Sequence, residues 1–202
     1  MAAQEVVGQL HTESCHEPIR QQAKLLDPLA EFYSESGLPL PSAVEVDGAW
    51  VPEPYRSLLV HQHDMTPTLE AAYQQRIHLR LLKRIVSGDV VLRQVVLVLD
   101  SDEQPVEFGA IRIQLKQSSA EARPRILEGR LPLGRVLQDS GIEHSSRPVA
   151  YFHFEPDPQI CAALNLKSAQ RLYGRRNRLF IPSGEVLAEV VEILPPSKRL
   201  SS

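Results

Sequence analysis

The chain has 202 residues, with 22 Lys+Arg against 25 Asp+Glu and a formal charge of −3. With 43% hydrophobic and 23% charged residues, it lies within ordinary globular usage, which excludes wholesale disorder and allows one domain with a full core or a domain plus a tail. The longest apolar runs, such as Val95-Val96-Leu97-Val98-Leu99, fall far short of the roughly 18 residues a spanning helix needs, so no membrane partner is expected. Mixed signs near neutrality argue against a broad electrostatic grip on nucleic acid. Cys15 and Cys161 are too few for a disulfide scaffold or a cysteine-built zinc site and are expected to be free thiols. Residues 1–10 include Glu5 and lack a basic n-region and a long apolar h-region, so a cytoplasmic location is expected.

Along the chain, residues 1–16 are polar and aperiodic and read as a loosely ordered arm. From 17 to 34, Ile19, Ala23, Leu26, Leu29 or Ala30, and Tyr33 recur at three- and four-residue steps, which predicts an amphipathic helix broken or kinked at Pro28. Pro39, Pro41, Pro52 and Pro54, with Gly48 and Trp50, predict an irregular connector over 37–55. The expected organisation is therefore an arm, helix and connector over 1–53 and a compact domain over 54–197.

Within that domain, Thr66-Pro67 predicts a helix start, with Thr66 as N-cap and Pro67 at the first helical position, running to about residue 75. Strands are predicted over 77–85, 90–99 and 106–115, the middle one rich in β-branched residues. Ser87-Gly88-Asp89 and Asp100-Ser101-Asp102 are short turns, which favour antiparallel hairpins over parallel crossovers. Residues 118–140 read as helical with an interruption at 129–134, and Gly141 as a C-cap. A strand over 149–154, a helix from Asp157-Pro158 to 164, and a hairpin of 171–181 and 185–194 complete the pattern. The fold class is α+β: a mainly antiparallel sheet of about six strands with helices on one face.

Four features bear on chemistry. Arg93 interrupts an otherwise apolar strand and shares a face with Val91, Val95 and Leu97. If that face is buried, the guanidinium needs a carboxylate, from a ligand or from a structural ion pair; if it is exposed, water suffices. Glu189 and Glu192 stand three residues apart in an apolar strand, so they point to opposite faces. One meets solvent, and the other faces the core or a pocket where burial raises its pKa. His61-Gln62-His63-Asp64 places two imidazoles at alternate positions, but nothing supplies the third ligand of a zinc site, so no metal is expected. The run Arg171, Arg175, Arg176 and Arg178 around Tyr173 has the composition of an RNA-binding strand, yet is read as a solvated face balanced by nearby Glu. Gly174 inside it marks a bulge or a close backbone approach.

Four segments in order resemble the chorismate pyruvate-lyase family: Leu58-Leu59-Val60-His61-Gln62-His63-Asp64-Met65-Thr66, Leu92-Arg93-Gln94-Val95-Val96-Leu97, Pro132-Leu133-Gly134-Arg135-Val136-Leu137, and Gly174-Arg175-Arg176-Asn177-Arg178-Leu179 with the strand ending at Pro195. The resemblance spans about 58–195 and implies an antiparallel sheet with flanking helices around a ligand cavity. That fold is shared with effector-binding domains of GntR-type regulators, so it does not by itself specify a reaction. The family releases pyruvate from chorismate, leaving 4-hydroxybenzoate, without metal or cofactor. By resemblance, Arg93 holds the aromatic carboxylate, Met65 and Leu133 line the pocket, and a glutamate of the last strand contacts the ring hydroxyl. With one extra residue in the hairpin turn that glutamate aligns with Val191, next to Glu189 on the same face; with two, it aligns with Glu192. The expectation is a chorismate lyase-like protein using Arg93 and Glu189 or Glu192, or a non-catalytic sensor of a small aromatic carboxylate with the same fold.

Overall fold

The computed structural model describes residues 16–196. The arm expected over 1–16, apart from its last residue, lies outside them, as do Cys15 and residue 197. Seven strands form one sheet: β1 (Ala43–Val46), β2 (Ile77–Ser87), β3 (Val90–Leu99), β4 (Pro105–Gln114), β5 (Ser145–Phe154), β6 (Leu172–Phe180) and β7 (Val186–Leu194). Their spatial order is β1-β5-β6-β7-β4-β3-β2, and every neighbouring pair is antiparallel. The α+β antiparallel class is as the sequence predicts, with one strand more than expected. The addition is β1, inside the Pro-rich segment read as a connector. It pairs with β5 at the sheet edge, where flanking prolines remove no ladder hydrogen bond. β5 starts at Ser145 rather than 149, and the ladder shifts register between Pro148 and Ala150, which accommodates a residue with no N–H to donate.

Seven α-helices accompany the sheet among the described residues: α1 (His16–Leu25), α2 (Leu29–Ser36), α3 (Tyr55–Leu59), α4 (Met65–Tyr73), α5 (Ala122–Glu128), α6 (Leu133–Asp139) and α7 (Pro158–Ala163). The helix read over 17–34 is broken at Pro28, as expected, into two separated at Asp27-Pro28. α4 begins one residue before Thr66, with Asp64 in the capping position. Pro67 still falls in the first turn, where its missing N–H has no intrahelical acceptor to lose.

The helices cover both faces of the sheet rather than one. Leu26, Leu29, Phe32 and Tyr33 from the α1–α2 segment and Ile160 from α7 pack on Leu92, Val96, Val98, Phe108, Phe152 and Val191. On the other face, α5 and α6 bring Ile126, Leu133 and Val136 onto Val91, Ile111 and Ile113, while α3 and α4 bring Leu59, Met65 and Leu69 onto Leu97 and Leu99. The reason lies in β3, where odd and even positions are both apolar and all but Val90 are buried. A strand hydrophobic on both sides needs cover on both sides. Tyr33 ties the first layer together: its hydroxyl donates to Asp157 Oδ2 at 2.5 Å, while Asp157 Oδ1 caps α7 by accepting from Ile160 N at 2.8 Å. Among the described residues no helix is long and apolar enough to cross a membrane.

Candidate functional site

The face covered by α3–α6 holds a cavity, and strand register builds its floor. Cross-strand partners project to the same side. Arg93, Ile111, Val190 and Asn177 form one row across β3, β4, β7 and β6, and Val95, Gly109, Glu192 and Arg175 form the next occupied row. Leu97 opposite Glu107 extends it. Met65 and Thr66 of α4, with Pro132, Leu133 and Gly134 at the start of α6, form the roof. The cavity has a volume of about 70 Å³, several times the roughly 10–15 Å³ a single water requires. Gly109 keeps the centre of the floor open. A Cβ there would stand 3.0 Å from Glu107 Oε1 and 3.2 Å from the Val191 carbonyl oxygen.

Arg93 is 1% exposed and lines this cavity beside Val95 and Leu97. Among the described residues its only hydrogen bond goes from Nη1 to the Leu131 carbonyl at 3.3 Å, and Nε has no partner there. It forms no ion pair with a described residue. Burial, and then the nearby Arg84 charge, push its pKa down to about 10, so it stays a cation at neutral pH. A buried guanidinium with one backbone acceptor is an incomplete anion site.

Glu192 faces the same space and is 6% exposed. Its Oε2 accepts from Nε of Arg175, a fully buried residue. Arg175 is otherwise consumed by a loop: Nη1 donates to the carbonyls of Leu59 at 3.1 Å and His61 at 3.0 Å, and Nη2 to that of His63 at 3.0 Å. The two histidines read as alternate imidazoles belong to this knot. His61 Nε2 donates to the Leu58 carbonyl at 2.7 Å, leaving Nδ1 to accept from His63 N and Arg175 Nη1. Burial and the Arg175 charge lower its pKa, so the ring is held neutral. The basic run is therefore not the solvated face expected, because Arg175 and Arg176 are both buried.

Glu189 projects from the opposite face, as its spacing from Glu192 predicts. It accepts from Arg112 at 2.6 Å, Arg178 at 3.0 Å and Arg176 at 3.2 Å. Arg112 in turn binds Asp27 at 2.5 and 2.8 Å, and Glu31. This cluster fastens the α1–α2 segment to the sheet, and Glu189 is not among the cavity-lining residues. Gly174 makes the predicted close approach: a Cβ would fall 2.6 Å from both the Glu192 carbonyl oxygen and the Phe152 ring.

One cavity residue escaped sequence reasoning. Glu107 lies in Val106-Glu107-Phe108-Gly109-Ala110, is 4% exposed, and has no hydrogen-bond partner at Oε2. The alternation rule that singled out Arg93 would have found it, since Glu107, Gly109 and Ile111 share one face. At the cavity wall, Asp64 Oδ2 accepts from His144 Nε2 at 2.8 Å, while His144 Nδ1 faces the Ile142 carbonyl at 3.2 Å. Two acceptors call for two ring protons, and the Asp64 hydrogen bond raises the pKa of His144.

Neither a protein-family model nor a curated protein matches this chain. Among solved structures it is similar to PhnF from Mycobacterium smegmatis, with TM-score 0.52 and 11% identity over 67% of this chain and 64% of that one. The chain thus spans less than two thirds of PhnF. It is also similar to the separate effector domain of PhnF, with TM-score 0.50 and 11% identity over 67% of this chain and 90% of that domain. A GntR-family transcriptional regulator from Bacillus cereus aligns with TM-score 0.44 and 13% identity over 60% of this chain and 93% of that one. At these identities the two PhnF likenesses establish a common fold.

Proposed function

We propose that this chain is a binding module for a small aromatic carboxylate, with Arg93 receiving the carboxylate and Met65 and Leu133 covering the ring. The observation that carries the reading is Arg93 itself: a buried cation on a cavity wall with no counter-ion among the described residues. A ligand carboxylate supplies that charge and the bidentate geometry a guanidinium favours. Leu79, Val95, Leu97 and Ile111 offer an apolar body to match a ring. The fold shared with an effector domain supports a sensor over an enzyme.

Lyase activity on chorismate is the second reading, favoured by Arg93 and Glu192 lining one cavity. Against it, Glu192 is committed to an ion pair with the buried Arg175, which leaves it less free to engage a substrate. Titration calorimetry with benzoate and 4-hydroxybenzoate, paired with incubation in chorismate, tests both. The sensor reading expects saturable binding and no pyruvate. Pyruvate and 4-hydroxybenzoate appearing in proportion to protein would establish the lyase, and absence of binding to any of these acids would remove the carboxylate-site reading.

A further inference from the structure

The two buried carboxylates among the described residues, Glu107 and Glu192, line the same cavity as Arg93. They share one guanidinium, Arg175, and its hydrogen bonds go to Glu192 and to the carbonyls of Leu59, His61 and His63. Glu107 forms no ion pair with a described residue, and its Oε2 has no hydrogen-bond partner. Gly109, two residues on and on the same face, leaves the space beside this carboxyl open, since a Cβ there would touch Glu107 Oε1. The cavity is therefore dipolar. Among the described residues it has a cation without an ion-pair partner at Arg93 and, elsewhere on its wall, a carboxyl pair with an unsatisfied oxygen.

Resting on the reading of Arg93 as the carboxylate site, we propose that Glu107 is the specificity-determining residue. It accepts ligands that carry, away from their single carboxylate, a neutral hydroxyl or amino group to hydrogen-bond its free oxygen, and it excludes ligands bearing a second anion there. A hydroxyl can donate to a carboxylate or accept from a carboxylic acid, so the match holds in either protonation state. A second carboxylate would be desolvated beside Glu107 and Glu192 with no cation left to pair it, a costly arrangement in a poorly screened interior. Burial and the adjoining Glu192 already raise the pKa of Glu107 well above its ordinary value, with Arg175 opposing. Chorismate, a dicarboxylate, falls in the excluded class.

Titration of the full chain with benzoate, 4-hydroxybenzoate and terephthalate tests this directly. The expected order in the wild type is 4-hydroxybenzoate tighter than benzoate by about tenfold or more, and terephthalate weaker than benzoate by a similar factor. Glu107→Leu should bring 4-hydroxybenzoate down to the affinity of benzoate, and Glu107→Gln should retain most of the preference. Equal wild-type affinities for benzoate and 4-hydroxybenzoate, or terephthalate binding as well as benzoate, overturn the role of Glu107 while leaving Arg93 in place. If none of the three binds, the carboxylate reading fails and this inference with it. The wild-type ranking decides the matter even if a variant does not fold.

Discussion

Arg93 and Glu192 share a cavity but not a bond. β7 and β3 flank β4, so the two residues look into one space, yet Arg175 takes the carboxylate and leaves the guanidinium of Arg93 with a single backbone acceptor. The cation paired with Glu192 is Arg175, not Arg93.

The first prediction concerns that isolated cation. Arg93→Met should abolish carboxylate binding while raising the stability of the ligand-free protein by about 1–2 kcal/mol, because a buried charge without a counter-ion gives way to an apolar side chain of similar length. Thermal melting and calorimetry on the same preparation check both halves. A variant that is less stable, or that binds benzoate unchanged, would contradict the assignment.

The second concerns Glu107. Its folded pKa is raised, so the native state binds more protons than the unfolded state above the ordinary value of 4.5, and stability falls as pH climbs from there toward the folded pKa. Glu107→Gln removes that titration. The difference in melting temperature, variant minus wild type, should therefore grow from pH 4 to pH 8; a constant difference would mean that Glu107 is not held protonated.

The third concerns His144. Its pKa is raised, first by the hydrogen bond to Asp64, so its contribution is fully present below the ordinary value of 6.5 and is lost as pH rises through the folded value. His144→Ala should cost about 1 kcal/mol at pH 5.5 and less at pH 8.5. Denaturant midpoints at the two pH values measure this, and an equal loss at both would assign His144 a packing role only.

The fourth concerns Gly174. With a Cβ only 2.6 Å from a β7 carbonyl and from the Phe152 ring, Gly174→Ala forces either the strand pair or the aromatic to move. A loss of about 3 kcal/mol or more is expected, read as a lowered urea midpoint. Pairing the substitution with Phe152→Leu should recover part of it.

Single-strand periodicity made much of this readable beforehand. Arg93 declared itself as one charge in a strand otherwise without any, and the three-residue spacing of Glu189 and Glu192 established that only one could face inward. Which one it was depends on what covers each face, and that cover comes from α1 and α2, far away in the chain. Arg175 looked like part of a solvated basic stripe because its partners are carbonyls of residues 59–63 and a carboxylate on the next strand. No local pattern encodes those contacts. β1 was missed because four residues containing Glu45 between prolines carry too little alternation to register as a strand.

The bare α-carbon of Gly109 carries one last implication. Because its immediate neighbours are a carbonyl of β7 and the Glu107 oxygen, a single methyl group added there displaces the Glu107 carboxyl and presses on the ladder at the Val191 carbonyl. A change in the size of molecule admitted is therefore made more readily overhead, through Met65 and Leu133, where side-chain length can vary while both ends of the recognition chemistry stay as they are.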